Sequence, residues 1–151
     1  MKRSGDFALR VMPLLGLLVT SSALGSVPVG HYTIADATVV DNKTRLTWQR
    51  SVPVTMYNLS DGANYCGTLG AGWRLPTIKE LQTLLDDSQL SPPRLDPAAF
   101  PSSPSVGEYL SSTVFAGASS SVWYVNFYSG STGYDSVAAP YNVRCVRTGT
   151  N

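Results

Sequence analysis

The sequence predicts one α+β domain over residues 38–148. Three observations carry the prediction. Two helix-like stretches fall in the first half of the chain, and most strand-like stretches fall in the second. Cys66 and Cys145, an even pair, stand ready to tie the two halves together.

The first element to justify is one to set aside. Lys2, Arg3 and Arg10 make a basic start, and Val11 to Ala23 is mostly apolar. That run has the length of a signal-peptide core and falls short of the roughly 20 residues that span a bilayer. Ala23-Leu24-Gly25 offers small residues for cleavage before Ser26. Residues 1–25 therefore read as a signal peptide, and the domain is expected to be exported: to the periplasm, the cell surface or the medium. Contact with a membrane is expected only during export. Removing that segment leaves eight basic against nine acidic side chains. Such a balance argues against a nucleic-acid partner held by bulk charge. In an exported chain, an even cysteine pair reads first as a disulfide. Closing a loop of about 80 residues is worth on the order of 4 kcal/mol in the chain-entropy model.

Residues 26–37, with Pro28 and Gly30, read as a tail leading into a strand. Thr38-Val39-Val40 and Arg45-Leu46-Thr47-Trp48 flank Asp41-Asn42-Lys43-Thr44, which gives strand, turn, strand. The first helix is expected over 58–69, weakened by Gly62 and ended by Gly67, Gly70 and Gly72. Thr77-Ile78-Lys79-Glu80 is a capping box, and Ile78, Leu81, Leu84 and Leu85 continue it as an apolar stripe. Asp86 and Asp87 oppose the helix dipole and are expected to stop that helix.

Five prolines between Ser88 and Gly107 exclude regular structure there, and a loop that long is expected to be functional or packed down. Strands are then expected at 109–113, 122–128 and 141–147, with 149–151 as a tail. In the second of these, Trp123, Val125 and Phe127 alternate with Tyr124, Asn126 and Tyr128. Trp48, Trp73 and Trp123 are assigned to the core. Arg74 is expected to make a buried ion pair or a backbone contact, and Arg144 and Arg147 to lie on opposite faces of the last strand.

Several of these stretches together resemble a known family. They are Val40-Asp41-Asn42-Lys43-Thr44 with Leu46-Thr47-Trp48-Gln49-Arg50, Tyr65-Cys66, and Trp73-Arg74-Leu75-Pro76-Thr77-Ile78-Lys79-Glu80-Leu81. Ala99-Phe100-Pro101, Trp123-Tyr124-Val125 and Val143-Arg144-Cys145-Val146-Arg147 follow. The order resembles the bacterial Lcl C-terminal domain family, over about residues 38–147. The resemblance implies a C-type lectin-like fold, with two helices packed on a curled antiparallel sheet. It implies one disulfide from the first helix to the last strand, where Cys66 and Cys145 stand. It also implies a role in surface attachment.

Catalytic chemistry finds little support in the residue inventory. His31 is the only histidine, so the many serines lack a base. One histidine and two paired cysteines make no zinc site. Oxygen ligands for calcium have no fixed arrangement, and no cofactor or metal is expected. The expected function is therefore a secreted or surface-associated, non-catalytic binding module for carbohydrate or a surface protein. Tyr124, Asn126, Tyr128 and Tyr134 are its candidate ligand contacts, because tyrosines beside amides suit polar surfaces with few rotors to freeze. The competing reading has these tyrosines packing the core or a hairpin. Two other functions stand beside it: a structural or assembly protein of the cell envelope that binds protein, and a hydrolase using Asp96, Glu108 or Asp135.

Overall fold

The computed structural model describes residues 28–101, 103 and 107–149. The expected signal peptide lies outside the described residues. Among the described residues, nine elements follow in chain order: β1 (Tyr32–Ile34), β2 (Thr38–Asp41), β3 (Leu46–Gln49), α1 (Leu59–Thr68), α2 (Ile78–Gln82), β4 (Glu108–Val114), β5 (Ser121–Asn126), β6 (Ser131–Ser136) and β7 (Val146–Thr148). The class is α+β. The strands form two antiparallel sheets, ordered β1-β2-β3-β7 and β4-β5-β6, where one curled sheet is expected.

Local chemistry explains most boundaries. The Asp41 carboxylate is buried under the β2–β3 turn, where it accepts from the backbone of Lys43 (2.8 Å) and Thr44 (3.1 Å) and from the Thr44 hydroxyl (2.7 Å). Arg45 closes that turn with a left-handed φ of 63°. β1 adds an edge strand inside the stretch read as a tail, because Thr33 and Ile34 pair with Val40 and Val39.

Asn58 caps α1 by accepting from the Asp61 amide at 2.9 Å. Gly62 is buried in this helix, and an added Cβ would stand 3.0 Å from Leu110 Cδ2 and 3.2 Å from Val143 Cγ2. The glycine that weakens the helix locally thus lets it lie close against the sheet. The capping box at Thr77 and Glu80 forms in both directions. α2 nevertheless ends at Gln82, short of Asp86. The amides of Thr83, Leu84 and Leu85 reach back three residues instead of four, which tightens the chain into turns. Five helical residues are too few to be stable alone. Burial of Leu81 and Leu84 holds them, at roughly 1.5–3 kcal/mol for each leucine.

Two apolar clusters fill the interior. One gathers Val39, Trp48, Leu81, Phe100, Tyr109 and Phe127, and the other surrounds Cys66, Leu110, Val122, Val143 and Cys145. The proline-rich stretch is packed down between Arg94 and Phe100, where Leu95, Ala99 and Phe100 are buried and the Arg94 amide donates to the Phe127 carbonyl at 2.8 Å, while Leu90 stands in solvent. Cys66 and Cys145 form the disulfide, linking α1 to the residue before β7 with Cα atoms 5.5 Å apart.

The segment expected as the last strand behaves differently from its alternating pattern. Residues 141–146 are all buried. Tyr141 bridges to Tyr57, Asn142 to Tyr109, and Val146 to Arg74. Only Val146–Thr148 is strand, because the chain here crosses from one sheet to the other and is covered on every side. Arg144 accordingly lies wholly inside, while Arg147 lies at the surface of the four-stranded sheet. Among the described residues, no helix is long and apolar enough to cross a membrane.

Candidate functional site

The hairpin between β5 and β6 decides where the four candidate ligand contacts go. Its tip lies at Tyr128 and Ser129, so residues equally distant from the tip pair across the strands. Trp123 stands opposite Tyr134, and Tyr124 opposite Gly133. Tyr124 and Tyr134 are therefore on opposite faces of the sheet. Tyr124 is half-buried against the second apolar cluster, and its ring covers Gly133, where an added Cβ would meet the hydroxyl at 2.5 Å. Tyr141 lies next to it, with ring centres 6.1 Å apart. Burial raises the Tyr141 phenol to about 12.

Asn126 serves the turn. Its side-chain oxygen accepts from the amides of Tyr128 (2.9 Å) and Ser129 (3.2 Å), and Gly130 completes the reversal with a φ of 76°. Tyr128 stands exposed at the tip. The expected quartet thus does not form one surface: one member packs inward, one holds a turn, and two remain in solvent.

Tyr134 instead joins two aromatic residues outside that quartet. Its ring stacks on Phe115 at 3.9 Å and 4°. Trp123 meets both edge-on, at 5.6 Å from Phe115 and 5.4 Å from Tyr134. Three adjacent strands supply the trio, with Phe115 just past β4 and anchored by its amide to the Ser121 carbonyl at 2.8 Å. Gly117 lets the following loop pass the Phe115 ring, since an added Cβ would come within 2.5 Å of it. Further along the same face of β5, Val125 is covered by the core. Cover runs out at Trp123, which is half-buried in the trio and not in the core to which the sequence assigns it. Tyr134 is 52% exposed and offers the open part of the platform.

Trp48 is fully buried, as expected, whereas Trp73 is half-buried beneath the Arg147 guanidinium, 5.2 Å from its ring centre. Arg74 makes the expected backbone contact, a bond to the Leu75 carbonyl at 3.1 Å, and a two-pronged pair with Glu80 (2.8 and 2.7 Å). That pair is not buried as expected but lies partly in solvent, because Glu80 stands on the first turn of α2 at the surface.

The three carboxylates considered for hydrolysis do not converge. Glu108 and Asp135 sit at opposite ends of the three-stranded sheet, in the rows of Asn126 and Val122 respectively. Asp96 accepts from the amides of Ala98 (2.8 Å) and Ala99 (2.9 Å) in its own turn. Among the described residues, no three His, Cys, Asp or Glu side chains gather as a metal site would need.

Geometry thus defines a disulfide-linked α+β domain of two antiparallel sheets, with a solvent-facing aromatic platform on one of them. The family model described as the Lcl C-terminal domain matches residues 37–147, and the chain belongs to that family. The comparison with curated proteins returns no match.

Phe115 is the site residue that the sequence reading leaves out, because it stands alone between a short strand and a Gly/Ser-rich loop. A signal for the rest was present. Once the hairpin tip is placed at Tyr128 and Ser129, strand pairing alone sets Trp123 beside Tyr134.

Proposed function

We propose that this domain is an exported, non-catalytic binding module of C-type lectin-like type that receives carbohydrate on the Phe115–Trp123–Tyr134 platform. The observation that carries the reading is the half-exposed Tyr134 ring, held flat by Phe115 and backed by Trp123. Such rings present rigid apolar area with a polar tip and lose little entropy on binding, which suits the C–H faces of sugar rings. The disulfide supports an oxidising compartment, and its link from the first helix to the start of the last strand supports the lectin-like assignment.

The test is a glycan array probed with the purified domain. Tyr134→Ala is expected to weaken binding at least about tenfold, or 1.4 kcal/mol. Its melting temperature is expected to stay close to wild type, because half of the ring is already in water. An empty array, or binding indifferent to Tyr134→Ala, would count against the platform. A second reading, assembly with protein, draws on β6, the outer strand of its sheet. Concentration-dependent oligomers in light scattering, together with an empty array, would favour it.

A further inference from the structure

The four-stranded sheet carries a second, separate feature. Thr38, Gln49 and Arg147 lie on its outer face, opposite the buried Val39, Trp48 and Val146. Leu69 and Trp73 overhang that face from the turn after α1. The left-handed Gly70 (φ 120°) and Gly72 (φ 80°) shape this turn, and the Trp73 amide closes onto the Gly70 carbonyl at 3.3 Å. Between sheet and turn lies a cleft of about 490 Å³, with Asp36 and Ser51 at its rim. That volume falls within the usual range for small-molecule sites.

Its charges are unmatched. The ion pairs found among the described residues are Arg74–Glu80 and Arg94–Asp87, His31 lies 3.6 Å from Asp41, and none of these contacts involves Arg147 or Asp36. Among the same residues the Arg147 side chain makes no hydrogen bond, and its Nε is buried without a partner. The Trp73 ring steadies the guanidinium from one side, which leaves the rest of a planar donor fork available. The neighbouring Gln49 amide is already fixed, donating to the Tyr65 hydroxyl at 2.7 Å and accepting from the Cys145 amide at 3.2 Å. The lining therefore brings together a bidentate cation, an acceptor-only carboxylate and an apolar surface.

We infer that this cleft binds a small organic carboxylate whose other end carries hydrogen-bond donors. The carboxylate engages Arg147, the donors engage Asp36, and the carbon body rests against Trp73 and Leu69. Two kinds of molecule carry that pair of groups: a sugar acid through its hydroxyls, and an amino acid through its ammonium. The site lies on a different sheet from the aromatic platform and does not depend on it.

The experiment is a calorimetric titration of the purified protein with glucuronate and, separately, with leucine. Tryptophan emission is followed in parallel. Glucose and leucine amide, which lack the carboxylate, and propionate, which lacks the donors, serve as controls. One of the two acids is expected to bind with a Kd of about 1 mM or tighter, and the controls at least about tenfold more weakly. Asp36→Asn at the exposed rim and Arg147→Lys, which keeps the charge but loses the fork, should each cost about tenfold. No binding of either acid to the wild-type protein overturns the inference, as does equal binding of the controls. Unchanged affinity in Asp36→Asn, whose exposed position spares the fold, overturns the assigned orientation. Tyr134→Ala should leave this titration unaltered, so failure here and failure of the platform are separable.

Discussion

Arg144 is a fully buried cation without a carboxylate partner among the described residues. Its Nη1 donates to the carbonyls of Gln49 (2.6 Å) and Arg50 (2.8 Å), and its Nη2 donates to the Ser103 hydroxyl. The Phe100 ring lies 4.5 Å beneath the guanidinium, so carbonyl dipoles and a π face replace water. Burial lowers its pKa from 12.5 to about 10, which still leaves it charged at neutral pH. The side chain ties the end of β3 to the long loop and to the crossing segment. Arg144→Met strips the donor from the carbonyls of Gln49 and Arg50 and is expected to cost about 3 kcal/mol. Urea denaturation checks this, and an unshifted midpoint would show that the carbonyls are satisfied in another way.

Among elements, α2 shows how a short helix is held by both ends of its cap. Glu80 accepts from the Thr77 amide at 2.7 Å while receiving both prongs of Arg74, whose own backbone bridges to Val146. Hydrogen bonding from Arg74 holds the Glu80 carboxyl below its ordinary 4.5, despite the opposing effect of burial. A depressed carboxyl stabilises the fold fully above the unfolded-state value and loses that contribution as pH falls through the folded one. Thermal melts should therefore show Glu80→Gln less stable than wild type at pH 7, with the gap closing below about pH 4. Because the pair is partly exposed, its effect should shrink in high salt. A gap that persists at low pH would place the loss in the cap geometry and not in the charge. The local signals in this element were legible from Thr77 to Glu80, since a capping box acts over four residues. The helix end was not, because past Gln82 the amides of Thr83, Leu84 and Leu85 tighten into three-residue turns and the Asp86 amide then turns to the Arg94 carbonyl, where Asp86 and Asp87 alone suggest a later stop.

At the scale of the molecule, the Cys66–Cys145 bridge closes a loop with a sequence separation of 79. It joins α1 to the crossing segment within the second apolar cluster. The Cys66→Ser/Cys145→Ser double variant should lose about 4 kcal/mol of stability, read from urea curves. Stability equal to that of the oxidised protein would mean that packing around Leu110 and Val143 suffices without the link.

The sequence by itself determined the class, the turn at Asp41, both helix starts and the cysteine pair, because each rests on neighbours in the chain or on a simple count. Only the tertiary structure decided the rest. It split the strands into two sheets, drew Arg144 inside, turned Tyr124 away from Tyr134, and set Phe115 and Trp123 beside the latter. The physical reason lies in residues 141–146: a segment passing between two sheets is covered on every side, so alternation no longer tells its inside from its outside.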